Sequence, residues 1–191
     1  MIENKCIISI DPSVKGTGIF TIVNAIEVSK TIKNENVDFP SSLINIHYGM
    51  EFILQENRFD LCLIEEPYPM LNRGQDQLLR IAGVIECSIA RYLIPVVRVP
   101  VQTWKSITGM NEINKKKDPE KYKKLAKEKY GKEFETLDEL DAYLIYVCSQ
   151  LLLQKTDLTK AARKVRDQII DVMERPSQCL TCVYKPACYH V

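Results

Sequence analysis

The chain has 191 residues with a formal net charge of +1, 46% of them apolar and 27% charged. Such a balance belongs to an ordinary globular protein of one domain with a proper core, and near-neutrality excludes a polyelectrolyte, so any nucleic-acid affinity must come from local clustering. No apolar run approaches the ~20 residues of a bilayer span, and Met1–Lys5 leads straight into a strand rather than forming a signal peptide.

The apolar run Cys6-Ile7-Ile8-Ser9-Ile10 predicts a first strand over residues 5–11, ended by Asp11 and followed by a loop from Pro12 to Gly18. Thr17–Val23 and Ile26–Lys33 read as two further strands, a meander. Residues 34–40 are polar and form a linker ending at Pro40. Ser41 or Ser42 can then cap a helix to about Asn57, with Leu43, Ile46, Met50, Ile53 and Leu54 on one stripe. A fourth strand over 60–65 ends in Glu65-Glu66, and Pro67 and Pro69 break regular structure after it.

Leu78, Ile81, Ala82, Ile85 and Ile89 carry the helical period through a long helix from Arg73 to Tyr92, and Pro95–Val99 is a short fifth strand. A helix over 101–107, a charged stretch to about 135 and a buried helix over 137–154 complete the core. Thr159–Glu174 reads as an amphipathic helix before an irregular, cysteine-rich end. We therefore expect an α/β core over 1–154 and an appendage over 155–191. Seven cysteines are an odd number, and Cys6, Cys62, Cys87 and Cys148 lie in apolar segments as small reduced hydrophobes. A reducing, cytoplasmic setting is expected.

Four acids stand out against this plan. Asp11 ends one buried strand and Glu65-Glu66 another, where open α/β sheets place their sites, and Asp138 and Asp141 share one helix face at i, i+3 spacing. Singly, each is an ordinary turn cap or solvated helix residue. Together they would repel unless a hard cation sat among them, and Mg²⁺ takes such oxygen ligands beside a substrate phosphate. The pattern predicts a metal-dependent phosphodiesterase. Successive strand side chains face opposite ways, so only one of Glu65 and Glu66 can join Asp11.

The element order predicts a ribonuclease-H-like mixed five-stranded sheet, order 3-2-1-4-5, with helices on both faces. Ile10-Asp11-Pro12-Ser13 with Gly16-Thr17-Gly18, then Ile64-Glu65-Glu66-Pro67-Tyr68, the spacing of Lys105, Gly109 and Lys115, and Asp138-Glu139-Leu140-Asp141-Ala142 resemble the motifs of the RuvC family of Holliday junction resolvases. The resemblance covers roughly residues 5–152. Ser13 in place of a usual glycine, Pro67 after the acidic pair, a longer lysine-rich 116–135 segment and the extra residues 155–191 depart from it, as in a phage or divergent member.

The resemblance implies that Asp11, Glu65, Asp138 and Asp141 hold two Mg²⁺ or Mn²⁺ ions and that cleavage leaves a 5′ phosphate and a 3′ hydroxyl. It selects Glu65 over Glu66, makes Tyr68 an aromatic wedge at the junction, and implies a C₂ homodimer acting on four-way or other branched DNA. The long helix at 73–92 is the candidate dimer surface. Lys105, Lys115, Lys116 and Lys117 would contact phosphates, with Arg73 and Arg80 extending the track.

Rival readings are a non-cleaving nucleic-acid-binding module of the same fold and a nuclease for RNA or RNA–DNA hybrid. An actin-like or sugar-kinase phosphate loop at Lys15-Gly16 would need a duplicated second domain, for which the chain is too short. In the tail, Cys179, Cys182, Cys188 and His190 offer a Zn²⁺ ligand set of tight spacing; an iron–sulfur cluster or free thiols are the alternatives. His47 is expected on a helix face without chemistry.

Overall fold

Ile7-Ile8-Ser9-Ile10-Asp11 is buried along its whole length, as only a strand covered on both faces can be. In a computed structural model this strand, β1 (Ile7–Asp11), lies at the centre of a five-stranded sheet of order β3-β2-β1-β4-β5. The structure describes residues 5–34, 37–67 and 73–174, with Arg73, Gly74 and Gln75 described through their backbone alone. β2 (Gly16–Val23) and β3 (Ile26–Lys33) add antiparallel to one side of β1. They are joined by a tight hairpin in which Asn24 and Ala25 take positive φ values of 51° and 63°, the twist that a two-residue β-turn requires. β4 (Leu61–Glu66) and β5 (Val96–Pro100) add parallel to the other side.

Strand alternation divides the core in two. Ile8, Ile10, Ile19, Cys62 and Ile64 face α1 (Phe39–Glu56) and α2 (Arg73–Arg91), meeting Ile46, Met50, Ile81, Ile85 and Ile89. Ile7, Phe20, Leu61, Leu63, Val97 and Val99 face the opposite layer. That layer comprises α3 (Val101–Thr108), α4 (Pro119–Tyr130), α5 (Leu137–Gln154) and α6 (Lys160–Glu174). Val165 and Ile169 of α6 belong to the same buried cluster as Leu144 and Cys148 of α5. Among the described residues no helix is long and apolar enough to cross a membrane.

Three local expectations need correction. The cap of α1 is Asp38, whose carboxylate accepts from the Ser41 N–H at 2.9 Å. Ser41 and Ser42 fall inside the first turn, where Pro40 also sits without cost because its missing N–H would have had no partner there. The charged stretch before residue 135 contains a helix, α4, capped by Asp118 and stopped by Gly131 at φ 68°. No element is assigned there from sequence, because only Tyr122 and Ala126 turn inward and the apolar stripe is faint. Of the four core-segment cysteines, Cys62 and Cys148 are buried, but Cys87 is exposed.

Candidate active site

The site is assembled by register. β1 and β4 run parallel with Ile10 beside Ile64, so Asp11 and Glu65 leave neighbouring strands at the same level. Asp11 is paired on its other side with Gly18 of β2. Over that pair comes the first turn of α5: a Cβ on Gly18 would lie 1.9 Å from the Asp138 carbonyl oxygen, and one on Gly16 would lie 3.3 Å from the Asp138 carboxylate. The Gly-Thr-Gly start of β2 is therefore the seat into which α5 descends.

Hydrogen bonds fix that descent. Ser9 Oγ lies 2.8 Å from the Ala142 carbonyl, joining β1 to α5. Thr136 caps α5 through the Glu139 N–H at 3.1 Å, and Thr31 of β3 donates to Glu139 Oε1 at 3.0 Å. The helix thus delivers Asp138 and Asp141 to the strand ends that carry Asp11 and Glu65.

The four carboxylates repel one another, Asp11 and Asp141 buried and Glu65 and Asp138 half-buried. Burial, then Glu65 and Asp141, push the Asp11 carboxyl well above the ordinary carboxylate range. Burial and Asp141 push Glu65 up to about 7. Asp138 is raised too, chiefly by burial. What offsets this charge is Lys115. Its ammonium pairs closely with Asp141 Oδ2 and lies 3.9 Å from Asp11 Oδ2. Burial opposes the lysine's charge, yet Asp141 and Asp11 together hold it protonated more firmly than a free lysine.

Two further residues belong to the site and were missed in the sequence. Trp104 of α3 donates its indole N–H to Glu65 Oε2 at 2.8 Å. Tyr122 of α4 donates its hydroxyl to Asp141 Oδ1 at 2.6 Å, with burial and then Asp141 raising the phenol further from ionisation. Both rings are fully buried, and both look like core aromatics from composition. The one available signal was that a buried indole N–H or phenol needs a partner.

The remaining candidates disperse. Glu66 lines a cleft of about 630 Å³ with Arg98 and Glu86, away from Asp11. Lys105 sets its ammonium 5.3 Å from the Trp104 ring centroid and close enough to Glu65 to oppose its protonation. Lys116 and Lys117 are exposed on the turn after Lys115. Arg80 pairs with Asp76 on the surface of α2. His47 meets Ser88 across the α1–α2 contact, Nδ1 to Oγ at 3.0 Å. Tyr68, the Arg73 side chain, Cys179, Cys182, Cys188 and His190 lie outside the described residues.

Among the described residues no group of three or more His, Cys, Asp or Glu side chains is disposed to hold an ion. Asp141, with one oxygen on Tyr122 and the other on Lys115, has neither free. The donor set nevertheless fits a hard divalent cation: it is all oxygen, anionic, desolvated and short of positive charge.

The strand order, with acids at the ends of adjacent central strands and on the helix laid over them, defines a ribonuclease-H-like domain. No protein-family model matches the sequence, and no curated protein matches it. By fold the chain is similar to RuvC of T. thermophilus in complex with a Holliday junction substrate, with a TM-score of 0.63 at 12% identity over 79% of this chain and 96% of that one. A second structure of Thermus thermophilus RuvC gives 0.60 at 13% identity over 78% and 95%. The fold is RuvC-like.

Proposed function

We propose that the chain is a divalent-metal-dependent, structure-selective endonuclease that cuts four-way junctions or other branched DNA. The observation that carries this reading is the cluster of buried Asp11 and Asp141 with half-buried Glu65 and Asp138 at the strand ends of a RuvC-like fold. These four would hold Mg²⁺ or Mn²⁺, two ions in this reading, which when bound supply water activation at the scissile phosphate and stabilisation of the leaving 3′ oxygen. Products would carry a 5′ phosphate and a 3′ hydroxyl.

The chain's own contribution is to orient and to charge the site. Trp104 and Tyr122 each fix one oxygen of a carboxylate, and hydrogen bonds from such buried rings keep the donor set in place between turnovers. Burial removes water from the acids and makes the cluster seek positive charge. Lys105, Lys116 and Lys117 are proposed to meet phosphates beside it, with Tyr68 and Arg73 extending that contact. A C₂ homodimer would match two sites to the two strands of a symmetric junction. In the tail, Cys179, Cys182, Cys188 and His190 are proposed as a Zn²⁺ staple.

The test is cleavage of a labelled immobile four-way junction, a linear duplex and an RNA–DNA hybrid, each with Mg²⁺, Mn²⁺ or EDTA. Paired symmetric nicks on the junction are expected, lost in EDTA and in Asp11→Asn, with junction binding by Asp11→Asn largely retained. Equal rates on all three substrates would overturn junction selectivity. Binding without cutting in either metal would favour the non-cleaving module, the reading to which a lysine lodged among the acids lends weight.

A further inference from the structure

We propose that Lys115 is the resident cation of the acid cluster, and that its ammonium and a divalent metal ion are alternative occupants of the same carboxylates. This rests on the nuclease reading and goes beyond it. It gives the lysine two successive partners: Asp141 and Asp11 before the metal enters, and a substrate phosphate after.

Three observations meet here. The Lys115 side chain is 24% exposed while those of Asp11 and Asp141, the two acids it faces, are 6% and 4% exposed, so the lysine reaches from the surface onto the two buried acids. Asp141 Oδ1 is held by the fully buried Tyr122. A metal ion therefore gains an Asp141 oxygen most readily at Oδ2, where the lysine now sits. A divalent ion and an ammonium drawn to one desolvated oxygen repel each other, so one displaces the other.

The third observation concerns how the exchange is made. Lys115 lies in the segment between α3 and α4, which is fixed at both ends. Gly109 turns at φ 66°, the Met110 N–H bonds the Lys105 carbonyl at 2.8 Å with the Met110 side chain fully buried, and the Lys117 and Asp118 N–H groups both reach the Asn114 carbonyl at 3.0 Å. Ile113 packs against the core beside it. With the backbone held, the four-carbon stem of Lys115 makes the move alone, and the freed ammonium stays beside the metal site, where the phosphate of a bound strand would lie.

Mn²⁺ binding, measured by calorimetry and by loss of the free-ion EPR signal, compares wild type with Lys115→Met. At least tenfold tighter binding by the variant is expected. Equal or weaker binding would overturn exclusive occupancy while leaving the metal reading intact. Absence of binding in both proteins would overturn the metal reading and this inference with it. A second measurement needs no variant: acetylation of Lys115 by an amine-reactive reagent, read by mass spectrometry with Lys116 as internal control. Slow modification without metal and a rise of at least threefold in saturating Mn²⁺ are expected; reactivity unchanged by Mn²⁺ would overturn the exchange.

Discussion

Tyr122 shows how much of the site depends on single atoms. Its ring fills a fully buried position, so Tyr122→Phe preserves the packing and removes only the hydroxyl that holds Asp141 Oδ1. A hydrogen bond to a charged group contributes roughly 1.5–3 kcal/mol, and its loss leaves Asp141 free to turn. We expect Tyr122→Phe to retain the fold by circular dichroism, to weaken Mn²⁺ binding about tenfold or more, and to slow junction cleavage in proportion. Trp104 acts in the same way on Glu65. The four carboxylates were legible in the sequence because ends of apolar runs and i, i+3 spacing are periodic signals. The two aromatics were not, because a donor that serves a site and one that serves the core occupy the same kind of residue. Lys115 was legible as a basic residue near the chemistry, but not as a counter-ion inside it, since that depends on where a loop returns in space.

At the scale of elements, the decisive contact is a helix lowered onto a glycine. β2 carries no side chain at residue 18, and the α5 backbone passes where its Cβ would be. Gly18→Ala must push the first turn of α5 away from β1, because the obstacle is backbone and cannot rotate aside. Overpacking of a well-filled core costs about 1–3 kcal/mol, occasionally more. Urea denaturation should show a loss of at least that size, accompanied by loss of Mn²⁺ binding as Asp138 and Asp141 move off Asp11 and Glu65.

The strands and most helices could be placed from sequence within a few residues, since alternation and 3.6-residue stripes are strong in β1, β4, α2 and α5. α4 escaped because a helix with two inward positions, Tyr122 and Ala126, has almost no stripe. The punctuation was present all the same, Asp118-Pro119 at its start and Gly131 at its end, and these outweigh composition in a charged segment. The start of α1 was displaced for a related reason: Asp, Ser and Ser all cap well, and the choice among them is made by where the preceding strand releases the chain.

The whole molecule is nearly neutral, so the DNA binding proposed for it would be local and sensitive to salt. Lys116 and Lys117 lie exposed on the turn that carries Lys115, while Lys127 and Lys132 are engaged with Glu133 and Glu27. Each phosphate contact adds about 0.9 to the slope of log affinity against log salt. The double substitution Lys116→Ala, Lys117→Ala should reduce that slope by about 2 in junction binding measured over a salt series, with little change in thermal stability. An unchanged slope would place the DNA elsewhere on the surface.

The descent of α5 onto β2 also fixes the time at which the four-acid cluster of the proposed active site is completed. Asp11 and Glu65 are made early, whereas Asp138 and Asp141 arrive only with α5, after β1 to β5 have been synthesised. At ~5–20 residues per second, several seconds separate the two pairs at the ribosome. During that interval the growing chain has its strands but only half of its acids, together with a bare glycine groove where the helix will rest. A chain interrupted there lacks half of the acid cluster, which is completed only when α5 is made.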